Sequence, residues 1–185
     1  MTAPAVSKDP ATKLFVTPAR EAMFKLVVVG YAAASEWVER VRELIPPERR
    51  GGFQPPMDND GWRMTVFDFR DEAVTAQGHA VRVYLFGHDG VGFIGQPGRA
   101  KDVVYKNAHA LLGLADSGQS SQLASVLGAD LQRMASSGHQ PVAVLCSPGV
   151  AAPLDSLLTP LDHDFRAEPL APLRLVLDRV LARVS

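Results

Sequence analysis

The chain is short of cysteine, of net charge and of long apolar runs, and each shortage removes a class of function. One cysteine, Cys146, stands among 185 residues. A single thiol can close no internal disulfide and build no cysteine-based zinc site. Cys146 lies inside an apolar run and reads as a small buried hydrophobe. The formal net charge is −1, so no basic field exists to draw nucleic acid or anionic lipid. No apolar run approaches the roughly 18 residues of a membrane span, and the amino-terminal residues MTAPAVSKDPATK lack the apolar core of a signal peptide. The expected location is cytoplasmic, with no membrane insertion. The histidines (His79, His88, His109, His139 and His163) show no metal spacing on a common helix face. His88-Asp89 is the only pair that suggests acid–base chemistry, and it reads as a solvated loop pair. No Gly-x-Ser-x-Gly frame surrounds Ser147.

What is present is an ordinary globular composition, 46% apolar and 21% charged, in a length that suits one domain with one core. Residues 1–20 are polar, small and Pro-containing and read as a flexible tail; residues 21–185 read as the folded domain. The run 24–29 is continuous and Val-rich, as a strand buried on both faces would be. Residues 32–45 read as a helix, with Trp37, Val41 and Leu44 at i, i+4, i+7 and Pro46-Pro47 as its stop. Residues 46–61 read as a long loop, with Arg49-Arg50 as an exposed basic spot. Residues 63–69 and 79–86 alternate and should pair as an antiparallel hairpin. Residues 87–99 are Gly-rich loop, and 100–107 could form a short helix. A strand over 109–115, a helix over 119–136 capped by Asp116 or Ser117, and a strand over 141–146 follow. The helix buries Leu123, Val126, Leu127, Leu131 and Met134. Residues 147–161 read as Pro-rich loop, 162–167 as a last short strand, and 171–184 as an amphipathic helix facing in through Leu173, Val176, Leu177, Val180 and Leu181. Buried strands alternating with helices predict an α/β sandwich with a mostly parallel sheet.

The stretch from Phe24 to Trp37 has the strand–turn–helix frame of a phosphate-binding P-loop, whose pattern is Gly, four residues, then Gly-Lys-Ser/Thr. Gly30 is in place. Ser35 stands for the second Gly, Glu36 for the Lys, and Trp37 for the hydroxyl that would hold Mg²⁺. A helix amino terminus favours an exposed anion by about 0.3–1 kcal/mol. Two unit charges about 4 Å apart interact by about 4 kcal/mol at an effective dielectric near 20. An inward Glu36 therefore outweighs the helix and repels phosphate. The Trp37 ring can fill the volume that phosphate and metal would take.

Four further segments give the chain a family likeness. They are Arg20-Glu21 with Phe24 to Gly30, Arg63 to Phe69 ending Phe67-Asp68-Phe69, Val83-Tyr84-Leu85-Phe86 followed by Gly90, and Leu112-Gly113-Leu114-Ala115-Asp116-Ser117. In order and spacing they resemble the bacterial gliding-polarity GTPases, the MglA-type branch of the Ras-like family. The resemblance covers nearly all of residues 21–184. It implies a Ras-like P-loop GTPase fold: a six-stranded, mostly parallel sheet with one antiparallel edge strand and helices on both faces. It also implies which nucleotide contacts this chain departs from. Met64 stands where the first switch offers a Thr to Mg²⁺, and it has no hard oxygen. Arg63 beside it matches an Arg of the family. Asp89-Gly90-Val91 stands where the second switch reads Pro-Gly-Gln, and Val91 cannot orient water. Ser147-Pro148-Gly149-Val150 replaces the base-reading Asn-Lys-x-Asp. Ala167 matches the small residue of the last loop.

These departures predict a catalytically inactive pseudo-GTPase, with no cofactor, serving as a protein-interaction or adaptor module; the resemblance implies a setting in bacterial polarity or motility. The alternative is a divergent GTPase that binds GTP or GDP with Mg²⁺ through backbone N–H groups; a third reading is a purely structural subunit. Phe53, Trp62 and Phe93 lie in or beside the two switch-like loops, where large aromatics either fold over the vestigial site or anchor a partner. With Arg63 they are the candidate partner contacts. The resemblance implies a small roadblock/LC7-type dimer or an active paralogue as partner.

Overall fold

Val27, Val28 and Val29 sit in the middle of β1 (Glu21–Gly30), and all three are fully buried. A computed structural model describes residues 21–31, 33–54, 62–69, 80–89, 104–136, 138, 140–150 and 157–184. The elements after β1 are α1 (Ala34–Leu44), β2 (Arg50–Gln54), β3 (Trp62–Phe69), β4 (Ala80–Asp89), β5 (Ala110–Leu114), α2 (Ser120–Ser136), β6 (Val142–Cys146), β7 (Thr159–Leu161) and α3 (Leu170–Val184). They form a mixed α/β fold around a seven-stranded sheet of order β2-β3-β4-β1-β5-β6-β7. β4, β1, β5, β6 and β7 pair in parallel. β3 is antiparallel to both β4 and β2, so it alone runs against the rest.

Two apolar cores flank the sheet. One face carries Phe24, Leu26 and Val28 of β1 with α1 and α3; the other carries Val27 and Val29 with Tyr105 and α2. The inward residues of β3 and β4, such as Phe67, Phe69, Val83 and Leu85, belong only to the first core. This alternation is the period-two pattern of strands covered by helices. α1 lies close over β4 because Gly87 has no side chain there. A Cβ on Gly87 would come within 2.6 Å of Val38 Cγ2. Arg42 of α1 also donates to the fully buried Thr65 Oγ1 at 3.0 Å, which satisfies a polar group that burial would otherwise penalise.

Several expectations need correction. Residues 46–61 are not one loop: a 3-10 turn (Pro47–Arg49) leads into β2, which adds a seventh strand outside the hairpin. The hairpin of β3 and β4 exists, but its antiparallel strand is second from the edge. Arg49 and Arg50 are half-buried, and Arg50 is strand. β4 runs through His88 and Asp89 because its parallel pairing follows β1 as far as Gly30, and His88 is buried rather than solvated. The last strand occupies 159–161, and residues 162–169 carry no strand. Leu44 is exposed; the chain turns extended at Ile45, which enters the core instead. The Asp116 carboxylate binds an arginine and caps nothing. The tail 1–20 and most of 87–103 lie outside the described residues, while Val104–Tyr105 is helical.

Candidate functional site

The crevice that open α/β sheets use for ligands lies at the carboxyl ends of neighbouring strands whose connections leave in opposite directions. Here those strands are β1 and β5: the chain leaves β1 toward β2–β4 and leaves β5 toward β6 and β7. Gly30 and Leu114 are register partners at that point. A Cβ on Gly30 would come within 2.5 Å of the Leu114 carbonyl, so the close approach of the two strand ends requires glycine.

α1 starts just beyond, with Ala33 as its N-cap and no side-chain cap. The three residues predicted to replace P-loop chemistry take different positions. Ser35 is buried and Glu36 is exposed. Trp37 is 2% exposed and belongs to the core shared with α3. Its indole N–H donates to the Pro169 carbonyl at 3.0 Å. A buried indole needs such a partner for its one polar atom.

The segment after β7 folds across the same edge. Phe165 is buried, and its ring lies 4.8 Å below the Arg166 guanidinium. Arg166 reaches the Asp116 carboxylate beyond β5 through both terminal nitrogens, the longer contact being 3.4 Å. That hydrogen bond holds the Asp116 carboxyl below its ordinary value. It also raises Arg166, as do the charges of Asp116, Glu36 and Asp164. Glu36 and Arg166 border the same small space. The space framed by Ala33, Glu36, Trp37, Arg40, Phe165 and Arg166 amounts to about 10 Å³. A single water needs roughly 10–15 Å³ on such a measure.

The neighbouring loops are tied down as well. Ser147 follows β6, is fully buried, and its hydroxyl has no hydrogen-bond partner. Its N–H donates to Leu161 O at 3.1 Å, and Val150 N–H returns to Ser147 O at 3.2 Å. Gly149 N–H donates to Asp162 Oδ1 at 2.6 Å, and Ala167 N–H is held by Asp164 O at 3.1 Å. Cys146 is buried and its thiol donates to His163 O at 3.4 Å. Burial first, then the charges of Asp164 and Asp162, push that thiol up to about 12.

Gly30, Ser35, Glu36, Trp37, Ser147 and Val150 thus share the carboxyl edge of the sheet. Met64 does not join them: it sits on β3, paired with Phe86 of β4, on the far side of β4 from β1. Phe53 pairs with Thr65, Trp62 with His88 and Arg63 with Gly87, so all three lie on the β2–β4 side. Their side chains, and Gly90, Val91 and Phe93 entirely, lie outside the described residues. Asp116 and Arg166 were missed as a pair. Fifty positions separate them, and no local pattern links an aspartate after one strand to an arginine in a distant turn.

Among the described residues no three His, Cys, Asp or Glu side chains converge to hold a metal ion, and no helix is long and apolar enough to cross a membrane. Compared with known proteins, the chain matches no family model and no curated protein.

Proposed function

We propose that this chain is a pseudo-GTPase: a Ras-like scaffold that neither binds nor hydrolyses nucleotide and acts as a protein-interaction module. One observation carries the reading. The Trp37 indole is buried in the first turn of α1 and hydrogen-bonded to Pro169 O, where a P-loop would offer a hydroxyl to metal and phosphate. Arg166, paired with Asp116, borders the adjoining space framed by Ala33, Glu36, Trp37, Arg40 and Phe165, which has room for about one water. The strand order and the single reversed strand are consistent with a Ras-like sheet extended by one outer strand. A scaffold without nucleotide has no γ-phosphate to order its switch-like loops, so partner binding is constitutive. The partner class that the resemblance implies is a roadblock/LC7-type dimer or an active paralogue, in a polarity or motility assembly.

The opposing reading, a divergent GTPase, draws on one feature: α1 begins without a side-chain cap, and a helix amino terminus favours an anion. One experiment separates the two. The protein is purified from cells and denatured, and the supernatant is run on an ion-exchange column. No guanine nucleotide should elute; a stoichiometric amount overturns the proposal. Thermal unfolding with millimolar GTP, GDP or ATP plus Mg²⁺ gives the equilibrium form. A ligand at about 100 times its Kd stabilises by about 2.7 kcal/mol, a midpoint shift of roughly 5–10 °C in a domain of this size. No shift is expected.

A further inference from the structure

A second cleft lies at the other end of the sheet. Register places Arg50, Phe67, Val83 and Phe24 in one row across β2, β3, β4 and β1. Phe24 precedes Gly30 by six residues, about 20 Å at roughly 3.3 Å per residue. The cleft holds about 360 Å³, within the ordinary range of ligand pockets (about 300–1,000 Å³). Its floor is the face of β3 and β4 turned away from α1, with Val66 and Tyr84; its rim is the turn and strand from Glu48 to Gly51. Gly51 adds no side chain, and a Cβ there would press on Val66 at 3.0–3.3 Å.

Arg49, Arg50, Arg82, Glu48 and Asp68 are among its lining residues, and their charges are not equivalently paired. Arg82 and Asp68 satisfy each other through two contacts of 2.8 and 3.2 Å. Arg50 donates to two backbone carbonyls, Ile45 O at 2.8 Å and Glu43 O at 3.0 Å, so no carboxylate offsets its charge. Arg49 is half-buried, and among the described residues its guanidinium has no hydrogen bond or ion pair. The Tyr84 hydroxyl, also in a half-buried residue, has none either. Glu48 is exposed at the rim. A half-buried cation without a partner beside an unused phenol donor is the complement of an oxyanion.

We propose that this cleft binds a small oxyanion-bearing molecule, whose phosphate or carboxylate group pairs with Arg49, accepts from Tyr84 and lies in the field of Arg50, with its body against Val66. The site is independent of the vestigial crevice and does not rest on the pseudo-GTPase reading.

The test is an amide chemical-shift titration of the ¹⁵N-labelled full chain with inorganic pyrophosphate and, separately, with citrate, at ionic strength held constant with sodium chloride. Saturable shifts at residues 48–51, 66–68 and 82–84 with either probe support the site, and the responding probe identifies the oxyanion class. Arg49→Glu is expected to weaken that binding about tenfold or more, and Tyr84→Phe about threefold to tenfold, each with an unchanged thermal midpoint. No saturable shift with either probe overturns the proposal, as do shifts confined to residues 30–37 or an affinity that Arg49→Glu leaves unaltered.

Discussion

α1 has one end in each of two unlike regions. Its amino end lies beside the carboxyl ends of β1 and β5, where open α/β sheets bind ligands, and the space framed there by Ala33, Glu36, Trp37, Arg40, Phe165 and Arg166 is about 10 Å³. Its carboxyl end lies beside the β2–β4 cleft, which keeps about 360 Å³. Both regions are rich in arginine and carboxylate. The difference is in the pairing. Beside the amino end of α1 Arg166 is spent on Asp116, and Trp37 spends its N–H on Pro169. At the cleft Arg50 is spent on backbone and Arg49 on nothing described. Charged side chains mark a site only when their partners leave capacity over. By that criterion the cleft, more than the motif-like position, has capacity left over.

The contrast breaks most readily at Trp37. Trp37→Ala deletes a buried ring that joins α1 to α3, and a change of this kind costs about 3–5 kcal/mol. Urea unfolding should report the loss as a lower midpoint with an unchanged slope. A loss under about 1 kcal/mol would mean that the surroundings close over the vacated space and that the indole is not the main tie between α1 and α3.

Much of this contrast was readable in the chain, and the unreadable part has a common physical cause. β1, β5 and β6 announce themselves as short Val- and Leu-rich runs, and α2 and α3 by apolar stripes: all five expected residues of α3 are buried, and of those expected in α2 Leu123, Leu127 and Leu131 are buried while Val126 and Met134 are partly so. Their identity is local. β2 (Arg-Gly-Gly-Phe-Gln) has no apolar alternation; it is strand because β3 offers it a ladder and Arg50 ties its start to the end of α1. β7 is three residues with a central proline, set by pairing with β6. The site divides the same way. Gly30, Glu36 and Trp37 were legible as a broken motif. The partner of the indole, the Asp116–Arg166 pair and the open cleft all depend on residues far apart in sequence, which no window of the chain contains.

The other end of α1 sharpens the comparison with a smaller effect. Arg50→Ala removes two charge-assisted hydrogen bonds from the last carbonyls of α1, where a cation is favoured. Since the guanidinium is partly solvated, about 1–2 kcal/mol is expected from urea unfolding, less than Trp37→Ala. An equal or larger loss would make this end, and not the end held by Trp37, the main anchor of the helix.

The smallest effect is expected at Asp116. Its carboxyl is held below the ordinary value, chiefly by the hydrogen bond from Arg166. A lowered folded-state value stabilises the protein at every pH above the unfolded carboxylate value, and the contribution disappears as pH falls through the lowered one. Both partners are half-exposed, with 42% and 49% of their side-chain surfaces accessible, so solvent screening limits the pair to about 0–1 kcal/mol. Asp116→Asn should therefore unfold slightly more easily at neutral pH, and the gap to the parent should close in acid. Added salt should narrow it at neutral pH too, because a half-solvated pair is screened. A gap that persists unchanged through acid would show that the amide disturbs packing rather than charge. A gap well above about 1 kcal/mol at neutral pH would make the Asp116–Arg166 pair a stronger tie between the segments after β5 and β7 than its exposure allows.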